Sequence, residues 1–201
     1  TPHKDNQQEY IKGPHAAPGT YQVTLAVGDD EMTESFDVVK EAGVPASDDD
    51  LKAQFDMLMD IRDKVSATHK AINQMRDVRN QLKGWQNRIG SDAEPLKNAL
   101  KDLEKQVLEV EKELMVPDTR AGWPDNMNNG VRLASQLAGL TLDVALGDYR
   151  PTDEQTSTYS EMVEEVEGVV DKFQDIVDGN LAELNTMLSN AGYGIVVVKK
   201  D

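Results

Sequence analysis

The chain has no cysteine among its 201 residues, which excludes disulfides, thiolate metal sites and a cysteine nucleophile. That absence leaves the compartment open. Histidine is scarce: His3, His15 and His69 have no second histidine or cysteine at metal-ligand spacing, so no zinc site is expected. Long apolar runs are missing too. Ile195 to Val198 is typical of the longest, far below the roughly 20 residues that span a bilayer, so no membrane span is expected. Basic charge is in deficit, with 21 Lys and Arg against 37 Asp and Glu and a net charge of −16. Such a balance argues against nucleic acid and anionic membrane partners, favours solubility and is compatible with a saline habitat. The opening Thr1-Pro2-His3-Lys4-Asp5 is polar, is no signal peptide and lacks an initiator Met, and reads as a cut inside a longer polypeptide. Serine, lysine or threonine nucleophile motifs and phosphate-cradling glycine loops are also missing.

What is present is a change of period near Ala46. Residues 1–12 show no period, and Gly13 to Gly19 is a turn-rich approach. Tyr21, Val23, Leu25 and Val27 then share one face of a strand, with Gln22, Thr24 and Ala26 on the other. Gly28-Asp29-Asp30 signals a turn, and Met32 to Val39 makes a second strand. A lone hairpin is marginal in water. It is therefore expected either to end a larger Ig-like β-sandwich whose earlier strands lie upstream, or to lie on the helices.

Beyond the Glu41 to Ala46 linker, Ser47 and Asp50 form a capping pair with three aspartates at the positive helix end. Helix one carries Leu51, Phe55, Leu58, Val65, Ile72, Met75, Val78, Leu82, Trp85 and Ile89 on one stripe. Helix two is expected to open on the Ser91-x-x-Glu94 capping box. Its Leu96, Leu100, Leu103, Val107, Val110 and Leu114 form a heptad seam. A third helix is expected over about Asp125 to Leu146, closed by Gly147 and Pro151. Thr152-x-x-Gln155 opens a fourth, striped by Tyr159, Met162, Val163, Val166, Val170, Phe173, Val177, Leu181, Leu184 and Leu188. Gly179 inside it costs about 1 kcal/mol against Ala and marks a kink position, and Gly192 fits a C-cap. The Ile195 to Val198 tail has strand character and is expected on the hairpin or on the bundle end. Residues 51–89 carry a net charge of +4 (eight basic, four acidic) and residues 152–190 a net of −9 (one basic, ten acidic). Pairing of the first and last helices follows from that contrast, as a matter of specificity more than of stability.

These patterns predict a mainly α chain, an antiparallel four-helix bundle over 47–201 behind a β-hairpin and linker over 1–46. No catalytic, cofactor or metal residue stands out. Asp48-Asp49-Asp50 and Gly28-Asp29-Asp30 lack the alternating EF-hand pattern and read as helix cap and hairpin turn, and Asp125 to Gly130 reads as a helix start. Glu161, Glu164, Glu165 and Glu167 read as the outside of helix four, with no cleft that would raise a carboxyl pKa for glycoside hydrolysis. His69 reads as a packing or partly exposed residue and His15 as a loop residue. Trp85 reads as core. Trp123, between Gly122 and Pro124, is the one residue marked for ligand contact, although anchoring the loop is the commoner use.

The stretch Gly13 to Leu25, with its Pro-Gly-Thr-Tyr-x-Val-x-Leu pattern, resembles the strand that ends Ig-like modules of bacterial secreted enzymes. Phe36 to Lys40, Ser47 to Asp56, Ile72 to Leu82 and Leu181 to Asn185 extend the likeness. In this order they resemble the C-terminal region of large exported bacterial proteins with sortilin-type or sialidase-like (BNR-repeat) β-propellers, grouped with glycosyl hydrolases. The resemblance implies a secreted or periplasmic, non-catalytic accessory module that braces upstream propellers, mediates assembly or contacts an extracellular polysaccharide or protein. It transfers no functional residue and no cofactor. The 117–124 loop and the Ile195 to Val198 tail depart from it. The alternative is a self-contained helical interaction module, a homodimer or adaptor, built on the seams of helices one and four.

Overall fold

The computed structural model describes residues 13–90, 93–117 and 130–199. The chain is mainly helical, with a two-stranded antiparallel hairpin before the helices. The hairpin joins β1, Gly19–Val27, to β2, Asp30–Val38, through the two-residue loop Gly28–Asp29. Gly28 takes φ +64°, which explains a glycine there. The helices are α1, Asp48–Arg88; α2, Glu94–Leu114; α3, Leu133–Val144; α4, Asp153–Ile176; and α5, Ala182–Asn190. A π-helical turn, Val177–Leu181, joins α4 to α5, and the backbone is helical on both sides, so α4 and α5 are one rod.

Local signals in the sequence account for three helix ends. Ser47 Oγ accepts from the Asp50 N–H at 3.1 Å and Asp50 accepts from the Ser47 N–H at 3.0 Å, a reciprocal cap. Thr152 and Gln155 do the same at 3.2 and 3.0 Å. At the end of α5 the Tyr193 N–H reaches the Leu188 carbonyl at 2.9 Å across Gly192, whose φ is +77°. Two starts differ from expectation. The N-cap of α2 is Ala93, with no side-chain cap, and Ser91 lies outside the described residues. The helix expected from Asp125 begins at Leu133 among the described residues, after Gly130 at φ +68°. At Gly179, where a kink is expected, the helix has a π turn: Phe173, Val177 and Leu181 step by four across it, and the backbone stays helical on both sides.

The chain divides into two compact units, Thr1–Asp63 with Gly139–Tyr159, and Lys64–Ala138 with Ser160–Asp201. In the first unit Met57, Leu58 and Ile61 of α1 are buried, as are Leu140 and Val144 of α3. The buried Gln54 amide donates to the Val144 and Gly147 carbonyls at 2.7 and 2.8 Å and so caps the end of α3. Arg150 meets Asp50 at 2.7 Å. Two side-chain hydrogen bonds, from Ser47 and then Arg150, hold the Asp50 carboxyl at about 2.

In the second unit Ile72, Met75, Val78 and Leu82 of α1, the whole expected seam of α2, and Val166, Val169, Phe173, Leu181, Leu184 and Leu188 form the core. Here α2 runs antiparallel to α1, since Arg76 meets Glu111 and Lys83 meets Glu104. The α4–α5 rod runs parallel to α1: Lys64 meets Glu167, and Trp85 meets Tyr193 just beyond α5. This corrects the expectation of strictly alternating, antiparallel first and last helices. Length is one physical reason: α2 covers about 30 Å against about 60 Å for α1 and cannot line all of it. The first and last helices do lie together, as expected, but summed charge does not select the individual contacts. Lys64–Glu167 follows the charge contrast, but Arg76 and Arg79 meet carboxylates of α2, because position on a helix face, not summed charge, decides which groups touch.

Candidate functional site

The first candidate is the hairpin. Its register pairs Tyr21 with Phe36, Val23 with Glu34 and Leu25 with Met32. Alternation therefore gathers Tyr21, Val23, Leu25, Val27, Met32 and Phe36 on one face, with the carboxylates of Asp30 and Glu34 among them. Tyr21 and Phe36 stack at 6.1 Å between ring centroids, and the Tyr21 hydroxyl donates to the Ala17 carbonyl at 2.8 Å, fixing the base of the hairpin. Toward the tip the face is open: Leu25 is 60% and Met32 67% exposed. The opposite face is polar, with Thr20 donating to Asp37 and Thr24 bonded to Thr33. Residues 19–39 contain five carboxylates (Asp29, Asp30, Glu31, Glu34, Asp37) and no Lys, Arg or His.

A hollow of about 370 Å³ lies at the hairpin base, lined by residues that include Thr20, Asp37, Lys40 and Asp48. Asp37 is engaged by Thr20, and Lys40 donates to the Ala46 carbonyl at 2.6 Å. The Thr20–Asp37 bond ties β1 to β2 on an exposed surface, and the Lys40 bond ties the end of the hairpin to the linker.

The second unit holds a buried ionic cluster. Glu111 is fully buried; Arg76 Nε donates to its Oε1 at 2.7 Å and Arg79 Nη1 to its Oε2 at 2.5 Å. Arg79 Nε also donates to Glu104 at 3.0 Å, and Arg76 Nη2 reaches Met115 Sδ at 3.3 Å. Desolvation works against the charge on Arg79, but Glu111 and Glu104 more than offset it and raise its pKa. Both Nε groups, Arg79 Nη1 and Arg76 Nη2 are directed at a carboxylate or the thioether, so the cluster reads as a registry device between α1 and α2.

Beyond α5, residues 193–199 lie along α1 and α5. The expectation of a strand-like tail is met in part: the segment pairs with side-chain amides instead of with a strand. Gln81 of α1 accepts from the Val197 N–H at 2.9 Å and donates to its carbonyl at 2.7 Å. Asn185 of α5 does the same for Val196, at 2.8 and 2.9 Å. Gln74 donates to the Lys199 carbonyl at 2.9 Å.

The residues singled out in the sequence fall as follows. Trp123 and His3 lie outside the described residues. Trp85 is half-buried, edge-on to Tyr193 with Arg88 over its ring, so it anchors the 193–199 segment instead of filling the core. His15 is exposed, and His69 sits on the outer side of α1. Desolvation, then the Arg76 charge, lowers the His69 pKa. Glu161, Glu164, Glu165 and Glu167 are exposed, as expected of an outer face. Asp48 and Asp49 lie in the first turn of α1, and Asp29 in the hairpin loop. Among the described residues no group of three or more His, Asp or Glu is placed to hold a metal, and no helix is long and apolar enough to cross a membrane. Sequence reasoning missed Gln54, Thr68, Arg79 and Glu111. Gln54, Ile61, Thr68, Met75, Leu82 and Ile89 stand seven apart and are all buried, and that spacing was the available signal for Gln54 and Thr68; Arg79 and Glu111 had none. No family model, curated protein or solved structure matches the chain.

Proposed function

We propose that this chain is a non-catalytic accessory module of a larger exported protein, joined to β structure upstream through the apolar face of its hairpin. The observation that carries this reading is the exposure of Val23, Leu25, Val27 and Met32 on a single face of a two-stranded sheet. Such a ribbon gains little by itself in water, and an uncovered apolar face of this kind marks a contact surface. The resemblance to proteins with Ig-like and propeller domains supplies the natural cover: the remaining strands of a sandwich of which β1 and β2 are the last two. Within the second unit Ile72, Met75, Val78 and Leu82 of α1 and Val166, Phe173, Leu181, Leu184 and Leu188 of the α4–α5 rod, central to the rows on which a helix-mediated dimer would rest, are buried, which favours the hairpin as the contact.

Two measurements test this. Immunoblots of fractionated source cells are expected to show a band several times larger than 22.2 kDa in the periplasm or medium. A photo-crosslinking amino acid at Leu25 of that polypeptide is expected to capture residues of the same chain upstream of the hairpin. A 22.2 kDa cytoplasmic band, or crosslinks confined to other molecules, overturns the reading.

A further inference from the structure

We propose that the groove between α1 and α5 is a binding site for extended peptides with a glycine two residues before a valine, occupied in this structure by the chain's own Gly194-Ile195-Val196. The site stands independently of the hairpin.

Three features make the segment a ligand held by its backbone. Gln81 and Asn185 each return both a donor and an acceptor to one residue, as a neighbouring strand does, and they serve consecutive residues. Recognition of that kind reads main chain and is indifferent to most side chains. Val196 is the one fully buried side chain of the segment, at 2% exposed, whereas Tyr193 and Val198 are half-buried and Ile195 and Val197 are each 52% exposed. The glycine is selected by the Trp85 ring. A Cβ at position 194 would stand 3.2 Å from Trp85 Cζ2, and the ring is held by Tyr193 and Arg88. The groove therefore takes an extended backbone with a Val side chain in its pocket and disfavours a side chain two residues earlier, and its amides would be left without these partners if the segment departed. A competing peptide that repeats the pattern satisfies the same amides, so the segment acts as a resident strap over a peptide site.

The test is a titration of a fluorescein-labelled peptide of residues 193–199 into the 201-residue chain, followed by anisotropy. Val196→Asp places a carboxylate in the apolar pocket and ejects the strap. The peptide is expected to bind this variant saturably and at least about tenfold more tightly than the wild type, where the strap competes. Adding Gln81→Ala and Asn185→Ala to Val196→Asp is expected to abolish binding, and a peptide with Gly194→Ala to bind more weakly. Circular dichroism checks that the helices persist; if they do not, Val196→Gly releases the strap more gently. A folded variant of either kind that fails to take up the peptide overturns the proposal. So does binding insensitive to Gln81 and Asn185, or loss of the helices in both variants, which makes the segment part of the folding core.

Discussion

Replacing Glu111 by alanine tests the buried ionic cluster most directly. The substitution removes a carboxylate with no solvent exposure and frees two guanidinium groups of different fate. The Arg76 side chain is 41% exposed and regains water. The Arg79 side chain is 11% exposed and keeps only Glu104, at 3.0 Å. Breaking a buried pair by removing one partner costs about 3–5 kcal/mol. Retained Glu104 and rehydrated Arg76 place Glu111→Ala at the lower end, about 3 kcal/mol. With a urea dependence of about 2–3 kcal/mol per molar, the midpoint should fall on the order of 1 M. The assay is urea unfolding followed by far-ultraviolet circular dichroism, with the slope compared to wild type. A second variant separates pairing from packing. Glu111→Met with Arg79→Met removes both charges of the buried pair and leaves Glu104 with Lys83, so it should cost clearly less than Glu111→Ala, because well-packed apolar residues replace such pairs at little cost. A loss below about 1 kcal/mol for Glu111→Ala at unchanged slope, or an equal loss for the double variant, would refute the reasoning.

Asp50 gives a pH dependence. Its folded pKa of about 2 lies below the ordinary 3.8, so its contribution is complete above the unfolded value and is lost as pH falls through about 2. The gap in urea midpoint between wild type and Asp50→Asn should therefore be constant above about pH 5 and close toward pH 2; a gap that does not change with pH contradicts the capping role. Thr152→Ala removes the side-chain acceptor for the Gln155 N–H and should cost about 1 kcal/mol in the same assay. At Gly179 φ is not positive, and an added Cβ meets nothing within 4 Å. Gly179→Ala should stabilise by about 0.5–1 kcal/mol, and destabilisation would mean that the π turn needs glycine. Gln54→Leu strands the Val144 and Gly147 carbonyls and should cost about 1–3 kcal/mol, read as a lowered melting temperature.

The sequence by itself determined whatever depends on residues close along the chain. The period-2 run before Ala46 and the period of three and four after it set the hairpin and the helices, because side-chain direction follows backbone geometry. The Ser47–Asp50 and Thr152–Gln155 pairs set two helix starts, and Gly192 the end of α5, because capping bonds span only a few residues. All six seam residues of α2 are buried as the heptad required. Only the tertiary structure decided that α4 runs parallel to α1, that Glu111 sits between Arg76 and Arg79, and that Gln81 and Asn185 clasp the segment after Tyr193. Those contacts join residues between 11 and 116 positions apart. Local propensity cannot see a partner that folding alone brings near. The same separation explains Trp85, which lies on an apolar stripe in the sequence yet becomes a platform once Tyr193 and Gly194 arrive beside it.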